Sequence, residues 1–138
     1  MKTPRVPLLV LFATSSLFTS LACANEASYA KILKERDAVL SQILTAREAH
    51  VAIGGGGEEA VASARLALYS FRRDTAPSKT EQLNQQELIV VYYEKKLAAL
   101  KSRKASGIVG SEEVLLATDS LLQAQQVREE LQLEAKKG

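Results

Sequence analysis

The stretch from Lys79 to Ala105 constrains the fold more than any other. Leu83, Gln86, Val90, Tyr93, Leu97, Leu100 and Lys104 recur in strict three-four alternation. That is the spacing of a coiled-coil seam, polar only at Gln86 and at the last place. Just ahead of it, Ser78 and Glu81 make a Ser-x-x-Glu capping box. In such a box the hydroxyl accepts from a free backbone N–H and the carboxylate reaches back to another. A helix over 79–105 is about 40 Å long at 1.5 Å per residue, too long for a compact globule of this size. An elongated bundle is therefore predicted.

The rest of the chain repeats the helical period between clear stops. Over 26–53, Tyr29, Leu33, Leu40, Ile43, Leu44 and Val51 are expected on one side, with Lys31, Lys34, Glu35, Asp37 and Glu48 mostly outside that stripe. Gly54 to Gly57 then end the helix, because each glycine in a helix interior costs roughly 1 kcal/mol relative to Ala. A second helix over 58–73 carries Val61, Ala64, Leu68 and Phe71 on one face and stops at the linker 74–78. After the third helix, Gly107 is placed for the left-handed conformation that closes a helix, and Gly110 frees the turn. Ser111 is the expected N-cap of a fourth helix, with Glu112 and Glu113 in its first turn, where exposed N–H groups favour negative charge. Val114, Ala117, Leu121, Ala124 and Leu131 continue the seam towards Lys136, and Ile108 and Val109 are expected to cover the open end of the pair.

The predicted fold class is thus all-α: elongated antiparallel helical hairpins in a coiled-coil-like four-helix arrangement. Residues 25–138 make one helical domain, with hairpin one over 26–73 and hairpin two over 79–136. The two turns also recur, since Ala52–Leu68 and Ala105–Leu122 both run from a helix end through glycines to Glu-Glu and then to small and apolar residues. A tandem repeat of hairpins and two independent turns both account for this.

The opening "MKTPRVPLLVLFATSSLFTSLACAN" has a positive start at Lys2 and Arg5, an apolar core from Val6 to Phe18, and small residues at Ala22-Cys23-Ala24. It reads as a signal peptide over 1–24, so an exported, periplasmic protein is expected. Its apolar run falls short of the ~20 residues needed to span a bilayer. Two cleavage routes stay open. Cutting after Ala24 leaves no cysteine, whereas cutting before Cys23 leaves it as a site of lipidation. Ser20-Leu21-Ala22-Cys23 resembles a lipobox with Ser20 where Leu is preferred.

The charge of the chain belongs mostly to this leader. Without Lys2 and Arg5, sixteen of the eighteen Lys+Arg remain against sixteen Asp+Glu, which balance to zero. Acidic and basic residues alternate along the chain, and the clustered basic face that nucleic acid requires is missing. No catalytic set stands out either. His50 is the only histidine and reads as a polar helix-end residue, since one imidazole cannot build the usual zinc site. Gly54–Gly57 is no phosphate loop, because no Gly-Lys-Ser/Thr follows. Arg72-Arg73-Asp74 reads as a helix terminus with a local ion pair, or as an anion site. Tyr92 and Tyr93 are adjacent, so only one can face the seam. No enzyme activity, cofactor or metal is expected.

The segment "KSRKASGIVGSEEVLLATDSLLQAQQ" resembles the helical-hairpin segment of outer-membrane efflux proteins of the TolC type, through Gly107, Val109, Ser111, Glu113, Val114, Leu115, Ala117, Leu122 and Ala124. It is also similar to the hairpin tips of periplasmic adaptor proteins, and it covers about a quarter of 25–138. The chain lacks the strands of the one family and the β-domains of the other. The resemblance implies a free-standing hairpin module of the cell envelope whose tip, Gly107, Ile108, Val109, Gly110 and Ser111, contacts a protein partner such as an efflux duct or adaptor. A lipoprotein or coiled-coil spacer unrelated to export is the alternative, and self-association stays open. The opening helix "LKERDAVLSQILTAREAHVA" is similar to that of exported chorismate mutases. Gly54–Gly57 stand where those enzymes place a Lys, and Arg128-Glu129 comes too late for their later pair.

Overall fold

The structure, a computed structural model, describes residues 16–137, with side chains from residue 26 onward. It contains four helices: α1 (Ser16–Ala52), α2 (Glu58–Thr75), α3 (Lys79–Ala105) and α4 (Ser111–Ala135). There is no strand among the described residues, and no described helix is long and apolar enough to cross a membrane. Most of the expected leader, residues 1–15, lies outside the described residues. Its last part begins α1, which runs without a break through the Ala22–Ala24 step.

The chain divides after Glu35 into two units. In the first, the described residues are helical, Tyr29 and Ile32 are exposed, and Lys31 stands 3.9 Å from Glu35 one turn on. The second unit, residues 36–138, holds the core.

That core is organised around α3, which packs against α2 and against α4. Between α3 and α4, Lys79 pairs with Glu134, the Gln86 side-chain amide donates to the Ala124 carbonyl at 2.7 Å, and Arg128 stands 3.7 Å from Glu87. Low numbers on one helix meet high numbers on the other, so the two run antiparallel. Ala117 and Ala124, seven residues apart, are the buried residues of α4. Having no side chain beyond Cβ, they let the α3 backbone approach. From α3 the buried set is Gln86, Ile89, Val90 and Leu97, with Val90 fully enclosed. Leu83, Tyr93 and Leu100 are half-buried, and Lys104 is exposed.

Two features of α3 go beyond a single seam. Ile89 lies off the seam yet is buried, because Leu66 and Tyr69 of α2 pack against the same core as α4. In the apolar run Leu88–Tyr93 only Leu88 is exposed. Gln86, the polar place in the seam, is 1% exposed and fully used. Its oxygen accepts from the Arg73 guanidinium of α2 at 2.8 Å, while its amide donates to α4. A buried amide tolerates this position only because both ends are bonded.

The α1 contact is built differently, and it corrects the expected stripe. None of the described α1 side chains is buried; Leu40, Leu44 and Val51 are half-buried, and Tyr29 and Ile43 are exposed. Ile43 directly precedes Leu44, about 100° round the helix, so the two cannot point at the same neighbour. Polar groups do the joining to α2. The Arg72 guanidinium donates to both oxygens of Asp37 at 2.7 and 3.0 Å and to the Ser41 hydroxyl at 3.1 Å. Arg47 donates to the Ala60 carbonyl at 2.7 Å, Arg65 pairs with Glu48, and the Arg36 guanidinium lies 4.8 Å over the Phe71 ring.

Helix ends follow local chemistry. α2 runs two residues past Arg73, with the Thr75 hydroxyl donating to the Phe71 carbonyl at 2.8 Å. Ala76 then turns extended, as the residue before a proline prefers. Ser78 caps α3 by accepting from the Glu81 N–H at 3.2 Å, and its hydroxyl donates to the Glu81 carboxylate at 3.1 Å. The box therefore closes through the hydroxyl. At α4 the expected cap is corrected: Gly110 is the N-cap, with no side-chain bond, and Ser111 is already the first helical residue.

Candidate functional site

The turn Gly107–Ser111 starts from how α3 ends. The Gly107 N–H bonds to the Lys104 carbonyl and the Ile108 N–H to the Arg103 carbonyl, both at 2.9 Å, with Gly107 left-handed at φ +71. This pair of bonds is the Schellman closure. The end of α1 is closed the same way: Gly54 N–H to Val51 carbonyl at 2.9 Å, Gly55 N–H to His50 carbonyl at 3.1 Å, and Gly54 at φ +81. In both turns the next helix begins four residues after the left-handed glycine. They diverge afterwards, since Gly56 and Gly57 keep positive φ whereas Gly110 is extended at φ −82.

Side chains finish the second turn. Both Ile108 and Val109 line the open end of the pair, but Val109 is half-buried whereas Ile108 is left 64% exposed. Val109 sits in an open cleft of about 490 Å³ walled by Leu100, Leu116 and Ala117, with Lys96, Arg103 and Glu113 at its polar rim. Glu59 of α2 also lines it. The start of α2 therefore lies beside the α3–α4 turn.

The neighbouring Glu58 lines a second open cleft, of about 440 Å³, with Val51, Val61, Ala62 and Tyr92 on its walls. Its two other charged groups, Glu48 and Arg65, are paired with each other. Tyr92 faces this cleft, while Tyr93 packs against the α3–α4 core, their rings meeting edge-on at 5.2 Å. Burial pushes the Tyr92 hydroxyl above its ordinary range, and the neighbouring Tyr93 adds to the effect.

The other groups singled out in sequence have structural partners. Arg73 pairs locally with Asp74 at 2.8 Å and also reaches Gln86, while Arg72 is committed to α1. Local sequence revealed neither the long-range partner of Arg72 nor the bond from Arg73 to Gln86. His50 is exposed, with its imidazole lying where a side chain at Gly55 would collide with it. Among the described residues no group of three His, Cys, Asp or Glu is placed to hold a metal ion. The side chain of Cys23 lies outside the described residues. Compared with protein families, curated proteins and solved structures, the chain has no match.

Proposed function

We propose that the chain is an exported, non-catalytic module of the bacterial cell envelope, made of two helical hairpins, that binds a protein partner through the Gly107–Ser111 end. The partner class is a component of an efflux or secretion duct. The observation that carries this reading is Ile108, an isoleucine held 64% exposed at a rigidly closed turn. A turn needs no branched apolar residue there, and apolar anchors ringed by polar groups are what interfaces use. The clefts support binding rather than catalysis, because Glu48 and Arg65 neutralise one another and the lone histidine faces solvent.

Affinity capture from envelope extracts tests it. Recovery of a duct or adaptor component by the wild type, and its loss with Ile108→Asp, is the expected result. Equal recovery by both proteins, or recovery of no such component, removes the efflux reading and leaves the spacer. Mass spectrometry of the processed N-terminus decides between Asn25 and an acylated Cys23.

A further inference from the structure

The cleft of about 440 Å³ that Tyr92 faces combines mostly apolar walls with charges that do not cancel. It exists because of how α1 is attached. Near the α1–α2 turn the two helices are joined through long side chains, Arg47 reaching the Ala60 carbonyl and Arg65 reaching Glu48. The apolar residues beside those links, Val51, Ala52, Val61 and Ala62, are too short to fill the gap that the arginines span. Tyr92 closes the cleft from α3, and the edge-on contact with Tyr93 at 5.2 Å holds its ring in place. The volume is that of an ordinary small-molecule site.

We propose that this cleft binds a small organic monocation, an apolar body carrying one ammonium group. Charge selects the class. Two carboxylates, Glu48 and Glu58, stand in the lining against one guanidinium, that of Arg65, which leaves one negative charge in excess. Arg65 is taken up by Glu48, so the carboxylate left over is that of Glu58, which joins no ion pair among the described residues. An anion would meet this carboxylate and find no free cation to hold it. A metal ion would lack ligands, since no group of three His, Cys, Asp or Glu is placed for one among the described residues. An ammonium group beside Glu58 gains the unpaired charge, and the negative face of an aromatic ring such as Tyr92 favours a cation as well. The apolar body then covers the short wall residues, as apolar burial requires. The site is separate from the Gly107–Ser111 turn and does not depend on the efflux reading.

Titration of the purified chain with phenethylammonium, followed by amide NMR, tests the proposal. Phenylpropionate serves as the anionic probe of similar shape and phenylpropanol as the neutral one. The cation should shift the amides of Val51, Ala62 and Tyr92 with a Kd of about 1 mM or below, and the other two probes should bind about fivefold more weakly or worse. Glu58 is exposed, so Glu58→Gln leaves the fold intact; it should weaken the cation about threefold or more and leave the neutral probe unchanged. Glu113→Gln, in the adjoining cleft, should change neither. Ala62→Leu fills the cleft and should abolish the shifts, with helicity by circular dichroism unchanged. The proposal is overturned by a cation that shifts none of these amides, or by an anionic or neutral probe that binds as tightly. Cation binding by Glu58→Gln or Ala62→Leu equal to that of the wild type overturns it too.

Discussion

The α3–α4 and α1–α2 contacts join helices of one chain by opposite means. Between α3 and α4 the surfaces are small and apolar, Ala117 and Ala124 admit a close approach, and one buried amide ties three helices together. Between α1 and α2 the half-buried apolar residues are bridged by arginines that reach across to carboxylates, a hydroxyl and a carbonyl. A contact of the first kind has a core that resists salt and pH, because its ion pairs, Lys79–Glu134 and Arg128–Glu87, lie outside the buried apolar residues. The second is screened by ions, and solvent-exposed pairs of its type contribute no more than about 1 kcal/mol each. α1 is therefore the detachable helix of the second unit.

The strongest attack on the α3–α4 side is Gln86→Ala. It removes the Gln86 partner of Arg73, leaving Asp74 as its other partner, and opens a cavity, and it should lower unfolding free energy by about 3 kcal/mol in urea titration. Ala117→Leu should cost about 2 kcal/mol by forcing the helices apart, with the same readout. Gly107→Ala, which puts a Cβ on a left-handed residue with open space around it, should cost about 1 kcal/mol from backbone strain alone.

The α1–α2 side should respond differently in kind. Asp37 is held below the usual carboxylate range chiefly by the hydrogen bond from Arg72. Its contribution is therefore complete above the ordinary value near 4 and is lost as pH falls through the lower folded value. Protection of amides 36–52 against hydrogen exchange, taken relative to the intrinsic rate at each pH, should fall with 1 M salt or below pH 4, with the amides around Val90 at the centre of α3 unaffected. Asp37→Asn should weaken both dependences, leaving the share carried by the Glu48–Arg65 pair, at a loss of up to about 1 kcal/mol. If α1 and α3 amides open together under all these conditions, the two contacts are one cooperative unit and the contrast fails. The smallest effect lies at Gln85, whose amide oxygen is buried without a partner; Gln85→Met should raise stability by about 1 kcal/mol or less.

The sequence was most legible where one local rule acted alone. α3 starts at a Ser-x-x-Glu box and stops before a glycine, and its two ends follow from those residues. The alanines of α4 marked its packed face because apolar spacing and small size agreed. Legibility fell where two faces competed. The Leu88–Tyr93 run held one seam for α4 and another surface for α2, and a single period could not separate them. On α1, Leu44 and Ile43 serve different sides, yet both fit a broad apolar stripe. The local pair expected in Arg72-Arg73-Asp74 forms through Arg73, but nothing in periodicity announces that Arg72 has a partner 35 residues away. In the candidate site the glycine conformation at 107 was readable from its place after a helix. How much of Ile108 and of Val109 is covered depends on the width of the α3–α4 cleft that both line, which only the packed pair defines.

Glu58 and Glu59 are consecutive, and each borders a different cleft. The first turn of α2 is thus a septum between two adjoining recesses, with one negative charge turned to either side. A ligand confined to one recess would sense one of these carboxylates. A partner laid across the end of the helices would straddle both, so comparing Glu58→Gln, Glu59→Gln and the double substitution measures how wide the bound object is.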